Sequence, residues 1–420
     1  MPRISNVQDI AEWRLCLGCG ACAYACPDHK ISLVNFVEEG IRPVLDADSC
    51  AACSDCLKVC PAIENDHREI NRRAGIIPEL TEYCGPVMEI WEGHAADPEI
   101  RFAGSSGGAI TALCLYCLER QSMHGVLHIG MDPARPTLNK TKMSRTRDEL
   151  LANTGSRYAP ASACDSLHLI ESAPAKCVFV GQPSEVTALK KAERLRPALA
   201  DKVGLTISFF CAGSPSRKGT LALLASQGID PETVQDLRYR GNGWPGNFAV
   251  TLRGQTKPVG QMTYAESWGF VQAYRQFSTH LCPDGSGEDA DISCGDPWYR
   301  EVKAGEPGSS LVVVRTERGR QLLRDAIEAG YITLTPAEPW KLLNSQKNLM
   351  AKRGSVGGRI AILKMLGLPA PRLRGFSLFK NWRRLTIGGK MRSTLGTVRR
   401  VLSRRYFRPL RLPTSHNGNE

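Results

Sequence analysis

Two stretches, Cys16-Leu-Gly-Cys19-Gly-Ala-Cys22-Ala-Tyr-Ala-Cys26-Pro27 and Cys50-Ala-Ala-Cys53-Ser-Asp-Cys56-Leu-Lys-Val-Cys60-Pro61, hold eight of the 16 cysteines in this 420-residue chain. Both read C-x2-C-x2-C-x3-C-P, the bacterial ferredoxin spacing for 4Fe-4S clusters. A short loop wraps three sulfurs around three irons of one cube. The x3 step then starts a helical turn that carries the fourth thiolate across to the other cube, and the proline ends the loop. By that rule one cluster takes Cys16, Cys19, Cys22 and Cys60, and the second takes Cys50, Cys53, Cys56 and Cys26. The small residues Gly18, Gly20, Ala21, Ala51 and Ala52 let backbone N–H groups approach the sulfurs, which raises the reduction potential.

Disulfides and zinc are the competing readings of so many thiols. Disulfides need an oxidising compartment, and no apolar signal core follows Met1-Pro2-Arg3-Ile4-Ser5-Asn6, so the expected location is cytoplasmic. Zinc usually takes two ligand pairs, which four cysteines in eleven residues, twice over, exceed. Of the remaining thiols, Cys84, Cys114, Cys117, Cys164 and Cys177 lie in apolar or mixed stretches and read as buried small hydrophobes. Cys114 and Cys117 form a C-x2-C pair, but on what reads as a buried helix face.

Charged residues at 23% and hydrophobic residues at 42% exclude global disorder. The length suits two or three domains, and no apolar run approaches the ~20 residues of a membrane helix. The formal charge of +12 is unevenly placed: residues 371–420 hold 13 Lys+Arg and one acidic residue, while the first 370 hold 41 of each sign. A neutral body argues against a nucleic-acid partner. Residues 1–75 form the ferredoxin-like α+β module, 65–84 a polar connector, 85–345 an α/β domain, and 370–420 a basic C-terminal extension. Strands are expected over 87–94, 125–130, 176–181, 203–211 and 311–315, alternating with helices over 107–120, 183–195 and 319–329. The spacing leaves the order of the strands open.

Glu92-Gly-His-Ala-Ala-Asp-Pro-Glu-Ile-Arg-Phe-Ala-Gly-Ser-Ser-Gly-Gly, Gly155-Ser-Arg-Tyr-Ala-Pro160, Val180-Gly-Gln-Pro, Phe210-Cys-Ala-Gly-Ser-Pro-Ser, Arg240-Gly-Asn-Gly-Trp-Pro-Gly246 and Cys282-Pro-Asp-Gly-Ser-Gly-Glu-Asp-Ala-Asp-Ile-Ser-Cys-Gly-Asp296 follow the cysteine strings. Together they resemble the coenzyme F-420 hydrogenase/dehydrogenase beta-subunit family over about residues 10–340. The resemblance implies a flavoprotein that binds FAD and iron–sulfur clusters and passes electrons between them, so that the α/β domain becomes a flavin-binding domain. It leaves the electron acceptor open. Many members hold a further 4Fe-4S cluster on a cysteine after Gly-x-Pro, one in a Phe-Cys motif, and a C-x2-C pair. Here those positions read Ser184, Cys211 and Thr279-His280-Leu281-Cys282. The loss of two thiolates is most simply read as loss of that third cluster, although Cys294 lies nearby in the sequence.

The reaction class expected from this combination is electron flow from a ferredoxin-type donor, through two clusters, to FAD and an organic substrate. A flavin joins the one-electron chemistry of clusters to two-electron chemistry. The alternative is an electron-transfer subunit that docks on a partner oxidoreductase and has no substrate site of its own. Gly-rich loops supply the candidate FAD contacts: Ser105, Ser106, Gly107 and Gly108 ahead of a helix, where free N–H groups suit phosphate, then Gly155 and Ser156, and Asn242, Gly243 and Trp244. Turn chemistry without a ligand fits the same glycines. Arg217 and Lys218 are candidates for meeting an anion, and His94 and His280 for donating a proton. The tail interleaves basic residues with Phe379, Trp382, Tyr406 and Phe407, a composition that fits peripheral contact with an anionic membrane as well as a solvated extension.

Overall fold

The computed structural model describes residues 2–46, 50, 53–303 and 305–412. The N-terminal module opens with the helix Val7–Glu12, whose Asn6 and Asp9 form a reciprocal cap. The hairpin β1 (Ile31–Phe36) and β2 (Gly40–Leu45) follows, antiparallel and in unbroken register. A short strand, β3 (Glu64–Asp66), closes the module. Val7, Ile10, Leu15, Ile31 and Leu45 form its core.

An eight-stranded sheet carries the centre of the chain. Its strands are β4 (Glu89–Ala95), β5 (Val126–Met131), β6 (Asn139–Ser144), β7 (Cys177–Gly181) and β8 (Val203–Phe209). A separate three-stranded sheet, β9 (Val234–Arg238), β10 (Asn247–Leu252) and β11 (Val259–Thr263), interrupts the run. The large sheet then resumes with β12 (Ile292–Gly295), β13 (Ser310–Val314) and β14 (Ile332–Pro336), and β15 (Arg372–Arg374) pairs elsewhere. Its order is β14-β4-β13-β12-β8-β7-β5-β6. The middle strands β12, β8, β7 and β5 are parallel, and antiparallel strands flank them on both sides. Strands covered on both faces need continuous apolar runs, and β13, Ser-Leu-Val-Val-Val, is buried throughout. The expected strand and helix segments of this region all appear, within two residues at most ends.

Three expectations change. The connector 65–84 holds β3, a helical turn at Ile70–Arg72 and the helix Pro78–Cys84. A 19-residue helix, Lys347–Met365, lies where the sequence suggested no element. The basic segment, up to residue 412, is folded onto the body. Strand β15 pairs in parallel with β3, and the helices Leu378–Arg383 and Ile387–Ser403 lie against Lys347–Met365. Val401 enters the ferredoxin module's core beside Val7 and Ile10. Tyr406 packs on Phe277 with ring centroids 4.8 Å apart, and the Leu410 N–H donates to the Glu12 carbonyl at 2.8 Å. Close helix approach explains the docking: a side chain at Gly358 would meet the Ser393 Oγ at 2.6 Å. Residues 413–420 of the expected tail lie outside the described residues.

A buried ion cluster ties the three parts of the chain together. His67 Nδ1 lies 2.8 Å from Glu288 Oε2, and its Nε2 lies 3.2 Å from Asp289 Oδ2. Arg353 completes the cluster on Glu288, and Phe376 packs on the His67 ring at 4.2 Å. Burial disfavours the imidazolium, but Asp289 and Glu288 outweigh it and lift His67 to about 10.

Candidate functional site

Gly18 and Gly20 take φ of 76° and 85°, so the first cysteine loop turns back on itself where only glycine is unstrained. Gly20 also starts the helix Ala21–Ala25, which ends at Cys26. The second loop enters Asp55–Lys58, and Cys60 lies just past that helix. Ala51 and Ala52 lie outside the described residues. Cys16, Cys19, Cys22 and Cys60 line one small cavity, closed by Val7, Ile10, Leu33 and Pro43. The Gly18 N–H points at Cys16 Sγ at 3.4 Å, and the Lys30 N–H at Cys26 Sγ at 3.3 Å.

Burial and neighbouring sulfurs raise four of these thiols. Burial, followed by Cys60 and Cys16, holds Cys19 well above the ordinary thiol range. Burial and then Cys19, Cys16, Cys60 and Cys56 do the same to Cys22. Cys60 is pushed up to about 12 by burial and Cys16. Cys56 is raised by burial and then by Cys53, Cys26 and Cys50. Cys22 feels Cys56 as well, so these shifts do not divide the eight sulfurs by themselves; the crossed ferredoxin rule expects the sets 16/19/22/60 and 26/50/53/56. Buried sulfurs that raise one another's pKa suit a group that supplies positive charge, as an iron–sulfur core does. Among the described residues no three or more His, Cys, Asp or Glu side chains gather on a single ion; the first set rings a cavity, as a cubane with one sulfur on each iron needs.

A second cavity, of about 360 Å³, opens at the carboxyl ends of the parallel strands, where ligands of open α/β sheets bind. Gln182 follows β7, Phe210 to Pro215 follow β8, Gly295 ends β12 and Asp296 follows it, all on its wall. The size falls within the ~300–1,000 Å³ of cofactor pockets. One side is aromatic. Tyr158 packs on Trp268 at 4.9 Å, and Tyr264 stacks on Trp298 at 5.7 Å and 3°. Trp298 continues the stack onto Trp244 at 5.7 Å. Beneath these rings lies Arg240, which grips Asp296 with two bonds of 2.9 and 2.7 Å. Its guanidinium also lies 4.4 Å over the Tyr264 ring. Burial works against that charge, and Asp296 more than restores it. Electron-rich planar rings of this kind suit the face of a flat, electron-poor heterocycle.

The expected flavin residues divide. Ser105, Ser106, Gly108, Gly155 and Ser156 line the cavity, with Arg157 and Tyr158 beside them. Gly107 does not. Its N–H donates to Ser310 Oγ at 2.9 Å, and a Cβ there would meet the Gly93 carbonyl at 2.7 Å, so it is a packing glycine against the sheet. Asn242 and Gly243 sit off the wall, and Trp244 reaches the site only through its stack and its N–H bond of 2.9 Å to Asp296. Lys218 pairs with Glu38 on the surface. Neither expected histidine lines the cavity. His280 is held at about 2 by burial and by Arg359, Arg275 and Arg400, which leaves it neutral. His128, on β5, does line it, with Nε2 2.8 Å from Ser144 Oγ. Sequence reasoning missed His128, Arg240, Trp268 and Trp298, because nothing local marks residues that only the strand order gathers.

The place of a third cluster does not offer four sulfurs. Cys211 Sγ donates to Gln182 Oε1 at 3.4 Å, and Cys282 Sγ donates to the Asp284 carbonyl at 3.4 Å. Thr279 spends its hydroxyl on the Gln276 carbonyl at 2.7 Å. Cys294, in β12, is buried in the sheet core.

The two sites touch. The Cys164 N–H donates to the Cys19 carbonyl at 3.0 Å, and Cys164 Sγ donates to the Glu185 carbonyl at 3.3 Å. Glu185 lines the large cavity, accepting from the Ala163 N–H at 3.0 Å and the Gln182 N–H at 2.8 Å. Burial raises its carboxyl to about 7.

Crossed cysteine loops set against a cofactor-sized cavity define an iron–sulfur redox protein. The chain belongs to the coenzyme F420 hydrogenase/dehydrogenase beta-subunit family: the family's N-terminal model matches residues 90–168, and its C-terminal model matches 175–339. A 4Fe-4S dicluster domain matches residues 10–65. The coenzyme F420 hydrogenase beta subunit of Methanothermobacter thermautotrophicus is 26% identical over 68% of this chain and 99% of its own. The beta subunit of an F420-dependent formate dehydrogenase of Methanococcus maripaludis is 25% identical over 60% of this chain and 62% of its own. Rice 7-hydroxymethyl chlorophyll a reductase is 24% identical over 54% of this chain and 47% of its own. A chain of the F420-reducing [NiFe] hydrogenase complex from Methanosarcina barkeri shares the fold, with a TM-score of 0.53, 23% identity, and coverage of 70% of this chain and 97% of its own.

Proposed function

We propose that this chain is an iron–sulfur flavoprotein that carries electrons between a ferredoxin-type donor and a substrate held in the large cavity. The observation that carries the reading is the contact between the sites, in which Cys19 and Glu185 bond to the same residue, Cys164. Cys16, Cys19, Cys22 and Cys60 would hold one cluster, and Cys26, Cys50, Cys53 and Cys56 the other, in a cytoplasmic setting that keeps thiols reduced. The aromatic wall and Arg240 would seat FAD, which supplies the exchange between one- and two-electron chemistry when bound. Tyr158, Tyr264 and Trp298 would exclude water from one face of the ring, and Ser105, Ser106, Gly155 and Ser156 would line its phosphate side. Glu185, poised near neutrality, would hold or release a proton at its carboxylate oxygens. With two sulfurs at the third position, two clusters are expected.

The relatives' names favour a second reading, in which the chain works as the beta subunit of a larger oxidoreductase. Anaerobic protein tested with reduced ferredoxin, coenzyme F420 and small acceptors separates the two. Turnover by the chain alone supports the enzyme, whereas turnover only after adding a partner chain supports the subunit.

A further inference from the structure

The terminal helix Ile387–Ser403 is amphipathic the wrong way round for a helix packed on a protein body. Its inner face buries Ser393, Thr397 and, near its end, Val401, and the Gly358 backbone lies close against Ser393. Its outer face carries the large apolar residues. Ile387 is 79% exposed, Met391 52%, Leu395 60% and Leu402 59%. At 100° per residue these four fall within one narrow stripe. Arg392 and Arg399, both exposed, flank Leu395 at three residues before and four after, where helix neighbours meet. No helix among the described residues is long and apolar enough to cross a membrane.

Charge selects the occupant. Residues 371–419 hold 13 Lys+Arg and no Asp or Glu. Among the described residues no ion pair engages Arg392, Arg399, Arg404 or Arg405, whereas Lys380 of the preceding helix and Arg384 just past it are engaged by Glu82. Protein interfaces set their register with mixed charges around an apolar core. A convex apolar stripe bordered by one sign of charge instead suits a laterally uniform anionic surface, where the helix lies in the headgroup plane.

We propose that the outer face of Ile387–Ser403 is a docking surface for an anionic lipid bilayer, holding the folded protein against the membrane without spanning it. This stands apart from the redox reading, since it uses none of the residues of either site.

The test is co-sedimentation of the full chain with vesicles of phosphatidylcholine, alone or with one third phosphatidylglycerol. The chain should bind only the anionic vesicles and release them as salt shortens the screening length below about 8–10 Å. Met391→Asp with Leu395→Asp should abolish binding at unchanged melting temperature. Arg392→Gln with Arg399→Gln should weaken it about 25-fold, roughly fivefold for each basic residue at the surface. Should the aspartate pair unfold the helix, the exposed arginine pair decides. The proposal is overturned if the chain ignores anionic vesicles at low salt, or if the variants bind as the parent does. It is equally overturned if the stripe proves to join two copies, seen as a dimer that Leu395→Asp converts to a monomer that never bound vesicles.

Discussion

At the scale of single residues, Gly107 shows how a motif misleads. In the sequence it sits in a loop ahead of a helix that suits phosphate. In the fold its missing side chain makes room for the Gly93 carbonyl 2.7 Å from where a Cβ would stand. Gly107→Val should therefore lower the melting temperature through overpacking of ~1–3 kcal/mol or more, and any flavin loss should follow unfolding rather than precede it. His67 gives a pH signature. Its folded pKa of about 10 lies above the ordinary histidine value, so its stabilising charge is fully present below about pH 6.5 and is lost as pH rises through 10. Urea midpoints should fall between pH 6.5 and pH 10. His67→Gln should be less stable throughout and show a shallower fall. The dicluster domain of residues 10–65 was legible because cysteine spacing is a local signal. Arg240 opens one of the motifs quoted above, but its pairing with Asp296 was not legible, since only the fold brings the two together.

At the scale of elements, strands and helices with strong periodicity were readable, as at Cys177–Gly181 and Pro183–Leu195. The order β12-β8-β7-β5 was not, since residue period says nothing about which strand lies beside which. That order makes the cavity, because it sets Gln182, Phe210 and Asp296 on one rim. The aromatic wall is the part of this rim most open to test. Trp268 contributes one ring to it and is only half-buried. Trp268→Ala should reduce bound flavin several-fold, in line with the ~0.5–1.5 kcal/mol of an aromatic pair beyond its area, and leave iron content unchanged. Flavin and iron measured on the same sample distinguish this from general damage.

At the scale of the whole molecule, the basic C-terminal region was legible as a charge anomaly but not as a structural part. Its contacts run back to the beginning of the chain. Strand β15 pairs with β3, and Arg372 meets Glu64 at 3.0 Å. Tyr406 receives the Arg14 guanidinium at 4.6 Å from its ring centre. A chain ending at Leu368 would strip these contacts and the Phe376 cover from His67. It should lose iron and melt earlier, where a detached tail would have left both unchanged. Long-range pairing of this kind leaves no mark on local composition, which is why a docked element reads as a loose one.

Whether the cysteine module and the large cavity form one electron path can be read by counting iron and flavin in the same anaerobically prepared sample and then adding a reduced ferredoxin. About eight irons per chain are expected, as two four-iron clusters require, with one flavin that is reduced by the ferredoxin only when the irons are present. Iron near zero after reconstitution, or a full iron complement with no flavin retained, would contradict it.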